Sequence, residues 1–408
     1  MGVAQTVSGL TGFEGRGAGT NAERRAARWL AGELQSTRRE VTVETFWCRP
    51  NWALAHAWHA LLGLAGSLVI VSDAKIGGAI VLVALVSVLA DSLTGYSLGR
   101  RLSPERASQN VVSRAEDDDD DERIKLIVTS NYDAGRTGLV NRDGPRALAA
   151  WARRVAGDGR LTPGWIGWLV IGLAWLLVVA VLRNAGATGT PVGVAQLIPT
   201  FALVLELALL VELAGSEFGP GAGDNASGTA VALALVRALD AAPPRRLSVE
   251  LVLQGAGDGS MIGLAKHLRT RRRELKPANT VVLGIAACGS GQPRWWVSDG
   301  PLVPLRYLGR LRDLAAGVAA ESAPADSAPP HRGRGVTPAL PARSAGLPAL
   351  AIGCLDASGL TPRSHQAGDV ADALDPGAMD ALLEFALTLV DAIDANLVST
   401  TPREPAHL

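Results

Sequence analysis

Four short stretches carry side chains that could do chemistry at fixed points. The segment Gly219-Pro-Gly-Ala-Gly-Asp-Asn-Ala-Ser-Gly-Thr-Ala230 holds one carboxylate, Asp224, among four glycines and a proline, and runs straight into the alanine-rich VALALVRALD. A glycine-rich turn of this kind delivers one acid to a helix N-terminus at a fixed, inward-facing point. The competing explanation is an ordinary helix cap by Asp224 or Asn225. Asp258 lies in Gly255-Ala-Gly-Asp-Gly259, and Asn131-Tyr132-Asp133 directly follows the apolar IKLIVTS. Of the six histidines, only His365, in the loop segment RSHQAGD, stands apart from helices, apolar blocks, the proline-rich segment and the tail. A second group of ionisable residues, His56, His59, Asp91 and Glu206, falls inside or at the edge of long apolar blocks. An ionisable group within a membrane span is a functional candidate by default.

The elements that must position these residues follow from periodicity. Asn21 to Leu34 reads as an amphipathic helix with Asn21 as N-cap, and Glu40 to Cys48 alternates as a half-buried strand does. Residues 1–20 are glycine-rich and lack the apolar core of a signal peptide. Further strands are expected at Ser108–Arg114, Ile124–Ser130, Ser248–Gln254, Thr280–Ala286, Arg294–Ser298 and Ala349–Cys354. Helices are expected at Pro145–Val155, Met261–Arg273, Leu302–Ala320 and Pro376–Asp394. Glu116 to Glu122 reads as a solvated acidic loop, and Ser322 to Arg334 as a mobile Pro/Ala/Arg-rich stretch. Strands alternating with helices predict an α/β fold, a three-layer sandwich around a mixed, largely parallel sheet.

Into this pattern are inserted four apolar blocks, at about Trp52–Val71, Ile76–Tyr96, Pro163–Leu182 and Val192–Leu213. Each is near the roughly 20 residues that a spanning helix needs. Short connectors pair them into two transmembrane hairpins, 51–97 and 161–213. That leaves 1–50, 98–160 and 214–400 to form one discontinuous domain on one side, with 401–408 as a tail. Trp165 and Trp168 sit where interfacial anchors belong, Pro199 is placed to kink the fourth span, and Glu206 lies deep within it, facing another helix. His56, His59 and Asp91 share one membrane face, where an interfacial position costs little. Arginines 49, 100, 101, 153, 154 and 160 flank the spans on the domain side, against Lys75 and Arg183 in the connectors, which predicts a cytosolic domain.

Composition narrows the classes. Lys+Arg and Asp+Glu both number 39 in 408 residues, a balance that gives no support to a nucleic-acid partner. Cys48, Cys288 and Cys354 are far apart and suggest neither a disulfide framework nor a zinc knuckle. A mean hydropathy of +0.20 alongside 19% charged residues requires that the apolar residues be segregated into blocks.

GPGAGDNASG resembles the bridging-aspartate motif of the co-catalytic zinc aminopeptidases, peptidase family M28, and the order of elements outside the hairpins is similar as well. The resemblance implies a zinc-exopeptidase-like fold and a site of two zinc ions. These would be held by two histidines and three carboxylates, with a glutamate as general base on metal-bound water. It places Asp224 as the bridging ligand, with the Asp224–Asn225 peptide bond cis, His365 as the final histidine, and Asp133 as the residue that orients the first. Asn131 stands where that first histidine belongs, and Gly257-Asp258 replaces a Glu-Glu pair. Gly257 therefore occupies the general-base position, Asp258 is a shortened ligand, and Gly284 stands where the next strand carries an aspartate. With Asp224, Asp258 and His365 as remnant ligands, the expectation is no cofactor, the alternative being one weakly bound zinc ion. The expected function is a membrane-anchored, catalytically inactive pseudopeptidase that acts as a binding or scaffold protein. Its partners would be membrane lipid and a peptide or protein ligand. One alternative is a metallo-aminopeptidase with a reduced, single-metal site, with Asp133 or a water as base. The other is an intramembrane polar pathway through Glu206 and Asp91.

Overall fold

The structure, a computed structural model, describes residues 2–115, 123–155, 163–321 and 328–396. It begins with helix α1 (Val3–Thr11), then α2 (Asn21–Gln35), strand β1 (Arg39–Cys48), α3 (Trp52–Ile70), α4 (Ala74–Thr94), the short α5 (Leu98–Arg101) and β2 (Arg106–Ala115). Strand β3 (Ile124–Asn131), α6 (Asp143–Val155), α7 (Trp165–Asn184), α8 (Thr190–Gly215), α9 (Ser227–Ala241), β4 (Leu247–Gln254) and α10 (Ile262–Thr270) follow. The chain closes with β5 (Thr280–Ile285), β6 (Gln292–Asp299), β7 (Leu305–Arg306), α11 (Arg310–Glu321), β8 (Pro330–Arg332), α12 (Leu340–Ser344), β9 (Ala349–Leu355) and α13 (Pro376–Asn396).

The sheet order is β1-β2-β4-β3-β5-β9-β6-β7, with β8 pairing β6. Its centre, β4-β3-β5-β9, is parallel, and the ladders β1–β2, β2–β4, β9–β6 and β6–β7 on either flank are antiparallel. Strands β4, β5 and β9 are buried along their whole length, as parallel strands covered on both faces must be. Helix α9 packs on β3, β4 and β5 and adjoins α1 and α13, while α10 and α12 pack together. This is the expected α/β sandwich around a mixed sheet.

Helices α3, α4, α7 and α8, of 19, 21, 20 and 26 residues, are long and apolar enough to cross a membrane. They pack into a four-helix bundle around Ile70, Val81, Leu169, Leu173, Leu176 and Leu203. Gly77 lets α4 approach α3, since a Cβ there would lie 2.4 Å from the Ile70 nitrogen, the small-residue contact on which apolar helices rely. Leu68, Val86, Val178 and Phe201 point outward and are exposed.

Several local expectations change. Residues 3–11 form a helix that buries Thr6, Val7 and Leu10. Thr20, not Asn21, caps α2, its hydroxyl accepting from Glu23 N–H at 3.1 Å. The stretch 302–320 is not one helix: β7 occupies Leu305–Arg306, and Gly309, with φ of +79°, turns the chain before α11 starts. Pro330–Arg332 adds a strand within the stretch read as mobile. The acidic run 116–122, residues 322–327 and the tail 397–408 lie outside the described residues.

Candidate active site

Parallel strands β3 and β4 end side by side at Asn131 and Gln254, and a crevice beyond such carboxyl ends is where α/β sheets bind ligands. The loop after β3 brings Asp133, fully buried, under the loop after β4. Its carboxylate accepts from Gly257 N–H at 2.9 Å and Asp258 N–H at 3.0 Å, and from the Asn131 amide at 3.3 Å. Burial, then the neighbouring Asp258, pushes its pKa up to about 6. Asp133 thus fixes the 257–258 loop and still touches position 131, through an amide in place of an imidazole.

Asp224 is not a helix cap. Residues Ala222–Ala226 form one wide turn, closed by Ala226 N–H to the Gly221 carbonyl at 3.0 Å, and α9 begins only at Ser227. Every peptide bond among the described residues is trans, Asp224–Asn225 included. Asp369 anchors this turn as Asp133 anchors the other loop, its carboxylate accepting from Gly223 N–H at 2.7 Å and Asp224 N–H at 3.1 Å. Burial, then Asp224, raises the Asp369 pKa to about 6.

His365 joins the two loops. Its Nε2 lies 3.1 Å from Asp224 and 3.6 Å from Asp258, and Nδ1 lies 3.2 Å from the Arg136 carbonyl. The ring fits because Gly135 passes beside it, where a Cβ would come within 2.0 Å of the imidazole. Burial pulls the His365 pKa down, but Asp224 and Asp258 outweigh it and the net shift is upward. Burial is also the largest cause of the upward shift at Asp258, which His365 opposes.

The other two positions carry no ligand. A Cβ on Gly257 would lie 2.2 Å from that of Asn131, so no side chain fits there while Asn131 stays in place. Gly284 is apart from the cluster, packed on Ala339 and Pro338. Just beyond β5, Cys288 N–H donates to the Ser227 hydroxyl at 2.9 Å, beside the start of α9, and Ala286 and Ala287 there bear no metal-binding side chain. With an amide at 131 and no side chain at 257, the residues present do not fit a two-zinc centre. Among the described residues no set of three or more His, Cys, Asp or Glu side chains is arranged as a metal centre.

A cavity of about 370 Å³ opens onto Asp258 and His365. Arg136 and Phe218 line one side, with the Arg136 guanidinium 4.2 Å from the Phe218 ring centre. The opposite wall is built by the bundle: Trp52, Trp165, Leu210 and Leu213. Trp52 lines this cavity together with Asp258, and its ring centre is 4.7 Å from that of Trp165.

Two charged residues beneath the site escaped the sequence reading. Arg16 is buried and donates to the carbonyls of Tyr132 at 2.6 Å, Leu10 at 2.6 Å and Gly221 at 3.2 Å. Glu23 accepts from Gly19 N–H at 2.7 Å, Ser108 at 2.7 Å and Ala256 N–H at 2.9 Å, and burial, then Asp133, pushes its pKa up to about 8. Within the bundle, His56 and Asp91 are buried against protein. They pair at 3.3 Å, and Arg100 reaches Asp91 at 2.8 Å, while His59 contacts Ser87 at 2.8 Å. Glu206 keeps a buried Oε2 without a hydrogen-bond partner among the described residues.

Residues 211–390 match the sequence model of peptidase family M28. Solved structures agree across nearly the whole chain. A zinc aminopeptidase from Bacillus subtilis superimposes with a TM-score of 0.55 at 13% identity, over 96% of this chain and 94% of its own. The chain has a zinc-exopeptidase-like fold. A leucine aminopeptidase precursor from Bacteroides thetaiotaomicron shares it (TM-score 0.53, 12% identity, 95% of each chain). So does a glutaminyl cyclase from the same organism (TM-score 0.52, 13% identity, 95% and 96%). No curated protein matches in sequence. In the zinc-exopeptidase fold described here, the Asp224 turn, the Asp258 loop and His365 meet at the carboxyl edge of the sheet.

Proposed function

We propose that the protein is a membrane-anchored pseudopeptidase. On this reading it uses the zinc-exopeptidase fold to bind a peptide or protein ligand at the Asp258–His365 cavity and does not hydrolyse it. The observation that carries this is at position 257, where the resemblance expects the general base and the chain has a glycine pressed against Asn131. Loss of a general base alone costs roughly 10²–10⁴-fold in rate. Asn131 removes a zinc ligand in addition. The arginine-rich flanks at 49, 100, 101, 153 and 154, against Lys75 and Arg183 in the connectors, support a cytosolic domain. The four apolar helices support contact with membrane lipid.

One observation favours a second reading. Asp224 and Asp258 converge on His365, and although the three are not arranged as a metal centre as they stand, a shift of these side chains would give a single zinc ion three donors and an open position. Zinc analysis of the purified full chain, with a panel of aminoacyl fluorogenic substrates, separates the two. The pseudopeptidase carries less than one tightly held zinc per chain and shows no turnover. Two zinc ions per chain with turnover would sink it. One zinc, lost together with turnover in Asp224→Ala, would establish the single-metal enzyme instead.

A further inference from the structure

A second cavity, of about 720 Å³, lies where the first hairpin meets the α/β domain. Its walls come from the start of α3, the α4–α5 junction, the start of α7, and α10 with the turn after it. Six cationic side chains line it, Arg49, Arg100, Arg101, Lys266, Arg269 and Arg272, against only two acids, Asp91 and Glu105. Both acids are already engaged, Asp91 by Arg100 at 2.8 Å and Glu105 by Arg49 at 4.0 Å. Arg100 is spent further on the Arg49 carbonyl at 2.9 Å and on Ser260 at 3.0 Å. Arg269 donates to the Tyr96 hydroxyl at 2.9 Å. The side chains of Arg101, Lys266 and Arg272 form no ion pair or hydrogen bond among the described residues. The cavity also includes His56, 1% exposed, whose Nδ1 has no hydrogen-bond partner among the described residues.

A basic cavity with unspent lysine and arginine donors suits a phosphate group, which takes several charge-assisted hydrogen bonds at once. Its location selects the source. Its lining includes Leu93, at the end of α4, Tyr96, just beyond it, and Trp47, in β1 ahead of α3, which are 74%, 62% and 65% exposed, and α3 and α4 are long enough to span a bilayer. Apolar and aromatic rims beside basic groups at that depth match a headgroup with its glycerol and upper acyl chain.

We infer that this cavity binds the phosphate of an anionic phospholipid, held by Arg101, Lys266 and Arg272. The inference rests on reading α3, α4, α7 and α8 as membrane spans, and it does not depend on the peptide site. Its floor includes Gly259 and Ser260, next to Asp258, so the lipid would sit directly behind the loop that forms the candidate active site.

The test uses the full chain in zwitterionic detergent, titrated separately with phosphatidylglycerol, phosphatidylcholine and inorganic phosphate. Binding is read by native mass spectrometry and by thermal melting. Phosphatidylglycerol should bind and raise the melting temperature, and the other two should not. The variant Arg101→Gln/Lys266→Gln/Arg272→Gln should weaken phosphatidylglycerol roughly 100-fold, the scale of three basic groups at an anionic surface. A control of equal charge change, Arg24→Gln/Arg28→Gln/Arg312→Gln, should leave it intact, and circular dichroism confirms that each variant is folded. Equal weakening in both variants would overturn the cavity in favour of diffuse attraction. A response to inorganic phosphate without one to phosphatidylglycerol would overturn the lipid, and no response to either would overturn the site. Recovery of the chain in a soluble fraction without detergent would instead refute the spans, a result that is separately visible.

Discussion

Both ring nitrogens of His365 face acceptors, the Arg136 carbonyl on one side and Asp224 with Asp258 on the other. Only the doubly protonated imidazolium can donate in both directions, which agrees with the upward net shift. A histidine whose folded pKa lies above its unfolded value of about 6.5 contributes stability that is complete below that pH. The contribution is lost as pH rises through the folded value. His365→Gln should therefore cost about 1.5–3 kcal/mol at pH 6, the scale of hydrogen bonds to a charged group. The gap in melting temperature to the unsubstituted protein should narrow as pH rises above that folded value. A gap that stays constant with pH would refute the imidazolium. Asp133 and Asp369, at about 6, and Glu23, at about 8, add a slope of the same sign, because raised acids also lose stability as pH climbs. The comparison is therefore between variants at each pH and not between pH values. At this scale Asp133, Asp224, Asp258 and His365 were legible because loops at strand ends announce themselves through glycine and polar residues. Asp369, Arg16 and Glu23 were not, because what matters about them is which distant backbone groups they meet. Counting along β5 leads to Gly284, which packs on Ala339 and Pro338, while Cys288 beyond the strand end meets Ser227.

Among the elements, β4 contains an acid that its pattern gives no reason to expect. Glu250 is buried mid-strand and pairs with Arg271 at 2.6 Å, His267 at 3.1 Å and Arg114 at 2.7 Å, which ties β4 to α10 and to β2. Removing one partner leaves the rest of a buried ion cluster uncompensated, which typically costs 3–5 kcal/mol. Glu250→Ala should lower thermal stability on about that scale in detergent, and Glu250→Leu with Arg271→Leu should recover much of the loss. An unchanged melting temperature in the single variant would mean that the cluster contributes nothing. The central strands and the four long helices were readable because the length of an unbroken apolar run separates a buried strand from a spanning helix. Helix α1 was not: VAQTVSGLT has weak propensity and is fixed by packing against α9. The opposite error joined 302–320 into one helix, because its leucines and alanines outweighed the break at Pro304 and Gly309.

For the whole molecule, the two helical hairpins help to build the candidate site, since Trp52 and Trp165 line the cavity with Asp258 and His365. Sidedness therefore decides from which compartment a ligand arrives. The chain's own cysteines make this measurable. Cys48, Cys288 and Cys354 are free and buried. Burial pushes the thiols of Cys48 and Cys288 up to about 12 and raises that of Cys354 as well, so none is a ready thiolate. A cysteine placed at an exposed position thus reports alone. Ser72→Cys and Thr188→Cys sit in the two span connectors, and Glu384→Cys lies on the exposed face of α13. If the arginine-flanked side is cytosolic, a membrane-impermeant maleimide applied to intact cells labels the first two and spares the third, and permeabilisation exposes all three. Labelling of Glu384→Cys in intact cells, with the connectors protected, would invert the topology and place the candidate active site outside. Labelling of one connector but not the other would break a hairpin, and with it the common side from which β1 pairs β2 and β3 pairs β4.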